Sequence, residues 1–166
     1  MADLRALLAS SSLGYQNVQT LLNSGNAVFS GASEPADKHA DRIRQAVAKK
    51  LGVDALVIVK SAKDIAGAIE GNELGAIATD PSRLLVAFTN DSKVLASIKI
   101  LARSEWGAEK IHVGKHAAYL WCANGILESK AAVALLKGLD GTGTTRNWAT
   151  LTKIHGLMAT PGMSGR

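Results

Sequence analysis

Gly141, Thr142, Gly143, Thr144, Thr145, Arg146 and Asn147 form the stretch best suited to chemistry in this 166-residue sequence. Flexible glycines ahead of a helix start leave backbone N–H groups pointing outward, the helix dipole favours an anion there, and Arg146 can grip one through paired hydrogen bonds. That outlines a phosphate or carboxylate site. The same residues also admit a plainer role, in which Thr144 or Thr145 caps the helix, Arg146 pairs with a local carboxylate and Trp148 packs into the core. No Walker lysine follows, and the Gly-Thr-Gly does not follow the strand of a Rossmann unit, so nucleotide-binding motifs do not apply.

Asn23, Ser24, Gly25 and Asn26 form a second polar group. Turn chemistry accounts for them, because Gly and Asn accept positive φ at little cost. A binding role requires them to converge with Ser129, Lys130, Thr145, Arg146 and Asn147 on one pocket for an anionic small molecule or nucleic acid. Tyr119 and Trp121 are candidates to stack bases, but no basic and aromatic string of the RNP kind accompanies them, and core packing is their expected role.

Other chemistry fits poorly. His112 and His116 are four apart but flank an expected hairpin turn, with no Cys pair or nearby acidic ligand to complete a tetrahedral set, so no metal site is expected. Cys122 alternates with Trp121 on a strand and is expected to be buried, where a thiolate is disfavoured. No GxSxG elbow is present. The sequence shows no recognisable catalytic motif and implies no cofactor; an enzyme acting on a phosphorylated substrate and a protein–protein interaction module stay open as alternatives to a binding protein.

Composition sets outer limits. Hydrophobic residues make up 47% and charged residues 20%, enough apolar material for a core without disulfides. No run reaches the ~18 apolar residues that a membrane span requires. Lys and Arg number 19 against 14 Asp and Glu, a formal charge of +5, which is compatible with polyanions and common in small domains. One cysteine and an N-terminus without a basic, apolar leader point to a cytoplasmic address.

The elements that must position these residues follow from periodicity. Leu4, Leu7 and Leu8 mark a helix over about residues 2–12, and Val18, Thr20 and Leu22, then Ala27 and Phe29, alternate as a hairpin around Asn23–Asn26. Ser33 caps a helix with Pro35 in its first turn and Ala40, Ile43, Val47 and Leu51 on one side, ended by Gly52. The apolar run Ala55–Val59 reads as a central strand. Ser61 and Asp64 open a short helix. Leu84–Phe88 is a second buried strand, followed by a helix with Leu95, Ile98 and Leu101. A hairpin carrying Ile111, Val113, Tyr119 and Trp121 comes next, then a helix with Ala132, Leu135, Leu136 and Leu139. The last helix starts near Asn147, and the tail 161–166 is expected to fray.

The order helix, strand, turn, strand, helix occurs twice, displaced by about ninety residues, which points to duplication of a supersecondary unit. The expected fold is α+β, with two incomplete ferredoxin-like (βαββαβ-type) halves and antiparallel sheets. The first half covers 1–72, a connection 73–82, and the second half with the last helix 83–160. The strand that precedes the helix in the second copy has no counterpart before Met1, and Gly141–Thr145 reads as a loop where a fourth strand would stand. The absent first strand is expected to be replaced by a rearranged sheet, by a partner chain or second copy in a homo-oligomer, or by a run encoded upstream of an alternative start.

Three motifs carry a family resemblance. Leu22, Asn23, Ser24, Gly25, Asn26, Ala27, Val28 and Phe29, then Gly125, Ile126, Ser129 and Lys130, and finally Thr145, Arg146, Asn147, Trp148, Thr150, Thr152 and Lys153 resemble the bacterial domain-of-unknown-function family numbered sixteen-ninety-seven. Met1–Leu8 looks like the first helix of that family, whose members usually begin earlier with a strand and a glycine-bearing loop. The resemblance implies an α/β fold of ferredoxin-like halves and no established activity.

Overall fold

The computed structural model describes residues 1–159; the tail 161–166 and residue 160 lie outside the described residues. The chain forms two compact units, Met1–Val59 with the chain from Lys153 onward, and Lys60–Thr152.

The second unit is built on β3 (Leu84–Thr89), whose six residues are all buried. It lies inside a four-stranded antiparallel sheet, ordered β4 (Lys110–Val113), β5 (Ala118–Trp121), β3, β6 (Gly143–Asn147). A strand with neighbours on both edges and cover on both faces has no solvated side, which is why its sequence is an unbroken apolar run rather than an alternation. Leu85 and Ala87 join Ile98, Leu120, Leu135 and Leu139 in the core under α4 (Ser92–Ser97), its 3-10 continuation Ile98–Arg103, and α5 (Lys130–Leu139). Val86 alternates to the other face and lies opposite Tyr119. There α3 (Ala62–Glu70) is held by the Tyr119 hydroxyl, which donates to the Ala68 carbonyl at 2.7 Å.

Two readings of the sequence are corrected in this unit. Gly141–Thr145, expected to be a loop, mostly belongs to β6, which pairs with β3 from Thr89↔Gly143 to Leu85↔Asn147. The second edge of a buried strand needs hydrogen-bond partners, and that requirement overrides the turn preference of the glycines, while the threonines suit a strand. Gly143 is also the residue that fits there, since an added Cβ would stand 2.9 Å from the Phe88 carbonyl oxygen. With β6 the second unit holds four strands, one more than its sequence suggested. The boundary between units falls after Val59 rather than at residue 72, because α3 is anchored on β5.

The first unit contains α1 (Ala2–Ala9), a hairpin of β1 (Gln16–Leu21) and β2 (Asn26–Ser30), and α2 (Ala36–Leu51). Leu7, Leu8, Tyr15, Ile43 and Val47 form its core, with Ala27, Phe29, Val57 and Val59 packed against it. The Tyr15 hydroxyl and His39 Nδ1 share a hydrogen bond of 2.9 Å. Gly52 closes α2 at φ +67°, as expected, but Pro35 rather than Ser33 stands at its start, with no side-chain cap. Ala55–Val59, expected to be a central strand, joins no ladder. The physical reason lies in the second unit: the corresponding β6 pairs with β3, and among the described residues the first unit has no strand in the place of β3. No helix among the described residues is long and apolar enough to cross a membrane.

Burial pushes the Tyr119 phenol up to about 12. An unfolded phenol ionises near 10, so the stability from holding this ring neutral is complete below about pH 10 and is lost as the pH rises towards 12. Tyr119→Phe is expected to cost about 1–3 kcal/mol at neutral pH by leaving the Ala68 carbonyl unpaired. It should also flatten the alkaline fall in stability, with Tyr15, whose phenol burial also raises, keeping its share. Urea unfolding at neutral and alkaline pH measures both.

Candidate functional site

The structure assigns local work to most of the polar residues singled out in the sequence. Ser129 is buried at the start of α5, where its hydroxyl oxygen accepts from the Ala132 N–H at 2.9 Å. Glu109 Oε2 accepts from the Ala131 N–H at 3.3 Å, so a carboxylate of the chain already occupies the positive end of that helix. Its other oxygen, Oε1, is buried without a hydrogen-bond partner among the described residues. Lys130 is exposed. Asn147 Oδ1 accepts from the Thr150 N–H at 2.9 Å and caps α6 (Trp148–Met158). The cap is Asn147 rather than a threonine.

Arg146 is turned onto its own strand, donating from Nη1 to Thr144 Oγ1 and to the Thr145 carbonyl, each at 2.7 Å. Burial lowers its guanidinium pKa. It lies opposite Val86, on the sheet face of Tyr119, whereas Thr145 and Asn147 lie opposite Ala87 and Leu85 on the face that α5 covers. Alternation along β6 therefore separates Arg146 from Ser129 and Lys130. Asn23, Ser24 and Gly25 form the turn of the first unit's hairpin, and Asn26 is buried at the start of β2, donating from Nδ2 to the Leu21 carbonyl and to Ser24 Oγ. Cys122 is fully buried as expected, and burial pushes its thiol up.

A different group of residues meets in a cleft of the second unit, with a volume of about 610 Å³. Gly71 and Glu73 follow α3, Ser92, Leu95, Ala96 and Lys99 come from α4 and its continuation, and His112, Val113, Gly114 and Lys115 come from the β4–β5 hairpin. His112 stacks on Tyr119 with ring centroids 5.7 Å apart, and its Nδ1 lies 3.3 Å from Glu73 Oε2. The glycines matter for this approach: a Cβ on Gly71 would come within 3.0 Å of the Tyr119 hydroxyl, and one on Gly114 within 3.4 Å of its ring. Lys99 and Lys115 are exposed. Glu73 is the one carboxylate among the lining residues, so the cleft is net cationic even with His112 neutral. Its volume is that of a small-molecule site.

Beside the same hairpin, Asp64 joins two structural devices. Its Oδ2 accepts from the Ser61 hydroxyl at 2.7 Å and from the Ser61 N–H at 3.2 Å, closing a capping box on α3. Its Oδ1 lies 3.4 Å from His116 Nδ1. Gly67 makes room for that imidazole, since a Cβ there would stand 2.7 Å from the ring. Lys60 donates from Nζ to the Thr89 carbonyl at 2.7 Å, and burial lowers its ammonium pKa. Among the described residues, no group of three or more His, Cys, Asp or Glu is placed to hold a metal ion. Sequence reasoning missed the cleft because its cations come from separate elements with no shared spacing; the one local signal was His112 and Lys115 beside the hairpin turn.

A family model described as "Protein of unknown function (DUF1697)" matches residues 1–119. The chain belongs to this family. The match includes the Leu22–Phe29 motif and all the cleft residues, and it ends ahead of the two later motifs. No curated protein matches the chain. Among solved structures, the conserved bacterial protein SP0830 from Streptococcus pneumoniae is similar over 95% of this chain and 88% of that one, with 22% identity and a TM-score of 0.72. That likeness shows a shared fold.

The Ser61 hydroxyl is the first cause holding the Asp64 carboxyl below the ordinary range. A depressed carboxylate contributes stability above its unfolded pKa, lost as the pH falls through the lower folded value. Ser61→Ala is expected to cost about 1 kcal/mol at neutral pH, as for other lost caps, and to shrink the acid-linked loss. Thermal unfolding at neutral and acidic pH checks the two effects together.

Proposed function

We propose that the protein binds a small anionic molecule in the cleft between α4 and the β4–β5 hairpin. The observation that carries this reading is the meeting of Lys99 and Lys115, from two separate elements, with His112 around one small-molecule-sized cleft. The lysines supply charge for a phosphate or carboxylate, and Leu95 and Val113 offer apolar surface to the rest of the ligand. The ligand class is the one expected from the sequence, and the site is a different one. Tyr119 and Trp121, the rings that the sequence offered for stacking bases, are buried, which favours a small anion over a nucleic acid.

Thermal shift against inorganic phosphate, sugar phosphates, mononucleotides, dicarboxylates and short RNA tests the reading. At least one small anion should raise Tm, and Lys99→Ala and Lys115→Ala should each weaken its binding roughly tenfold to a hundredfold, as lost hydrogen bonds to charged groups do, without lowering Tm of the unliganded protein. Stabilisation by RNA alone, or anion binding indifferent to both lysines, contradicts it.

A further inference from the structure

The charges that line the cleft of the second unit narrow the anion that fits it. Lys99 lies in the 3-10 continuation of α4, and His112 and Lys115 belong to the β4–β5 hairpin, so two ammonium groups and an imidazole line one space. Glu73 is the carboxylate among the lining residues, and its Oε2 lies 3.3 Å from His112 Nδ1. A carboxylate at that nitrogen keeps a proton on it, so any further proton that the ring takes up goes to Nε2. Among the described residues Nε2 has no hydrogen-bond partner. Its approach is open, because Gly114 carries no side chain where a Cβ would stand 3.6 Å from it. The Tyr119 ring, stacked on the imidazole at 5.7 Å, holds the plane of His112, and the Tyr119 hydroxyl is engaged elsewhere, on the Ala68 carbonyl. His116, on the same hairpin, lies 3.4 Å from Asp64 Oδ1 and is not a lining residue.

On the reading that this cleft is the anion site, we propose that its ligand is a phosphate monoester, and that His112 Nε2 takes up a proton from solvent as the ligand binds and donates it in a hydrogen bond to a terminal phosphate oxygen. Charge and geometry both select this group. One carboxylate against two ammonium groups leaves one positive charge while His112 is neutral, and two once its imidazole is protonated. A phosphate monoester supplies close to two negative charges and three terminal oxygens, one for each donor. A carboxylate has one charge and two oxygens, so one donor must share an oxygen with another. A sulfate ester has the three oxygens but a single charge, which favours the imidazolium less. Leu95 and Val113 then meet the organic part of the ester.

The probes are phenyl phosphate, phenyl sulfate and benzoate, which share an apolar ring and differ in the anion, each titrated into the full chain by calorimetry. At about pH 7.5 phenyl phosphate is a dianion, its second ionisation lying near 6, so proton uptake measured across buffers of different ionisation enthalpy comes from the protein. Phenyl phosphate should bind about tenfold or more tightly than the other two, with net proton uptake. His112→Gln and His112→Phe, the second keeping a ring on Tyr119, should each weaken phenyl phosphate about tenfold, as the loss of a hydrogen bond to a charged group does. Both should abolish the uptake and leave benzoate affinity unchanged. Lysine-dependent binding without a preference for the phosphate, without proton uptake, or with uptake that persists in both variants overturns the inference and leaves the cleft a general anion site. Binding of no anion through Lys99 and Lys115 overturns both.

Discussion

A strand that gives hydrogen bonds on both edges and apolar side chains on both faces must be surrounded, and β3 is the element of this protein that meets that condition. Its two neighbours, β5 and β6, exist as strands because β3 lies between them, and α3, α4 and α5 find their places on the two faces of the sheet it organises. Leaving its backbone groups unpaired would cost about 1–3 kcal/mol for each one buried. That penalty is large against the 5–15 kcal/mol by which a domain is normally stable. Among the described residues of the first unit no strand meets that condition: a two-stranded hairpin packs on the core of α1 and α2, and the apolar run Ala55–Val59 lies against that core without joining a ladder.

The sequence was legible wherever a local rule and the tertiary context agreed. The Ser61–Asp64 capping box, the Gly52 stop, both hairpins and the buried run Leu84–Phe88 were read from spacing and residue type, and each stands where expected. It failed where pairing decided the outcome. Ala55–Val59 has the composition of a central strand, but a strand is defined by its neighbours, and among the described residues none pairs with it. Gly141–Thr145 has the composition of a loop, but the open edge of β3 recruits it. Both errors have one cause, since local composition does not record which backbone edges remain unpaired.

The candidate site divides in the same way. Asn26 is satisfied by the turn that the sequence offers beside a binding role, whereas Ser129 and Asn147 are taken up by helix caps that the sequence reading assigns to neither of them. The face on which Arg146 lies depends on the register of β6, which only the fold reveals. The cleft lined by Lys99, Lys115, His112 and Glu73 has no motif at all. It exists because the stacking of His112 on Tyr119 and the close approach of Gly71 and Gly114 bring the hairpin against the end of α3. Tyr119 therefore links the sheet to the cleft, fixing α3 through its hydroxyl and presenting its ring beneath the hairpin residue that lines the cleft.

β3 is the cooperative centre of the second unit, and among the described residues the first unit has no equivalent. Native-state hydrogen exchange under increasing denaturant measures that asymmetry directly, because amides that open only in full unfolding are separated from those that open locally. The account predicts that the amides of β3 exchange only with global unfolding of the second unit, while those of the β1–β2 hairpin open at clearly lower free energy. Equal protection of β2 and β3 in the isolated protein would contradict it.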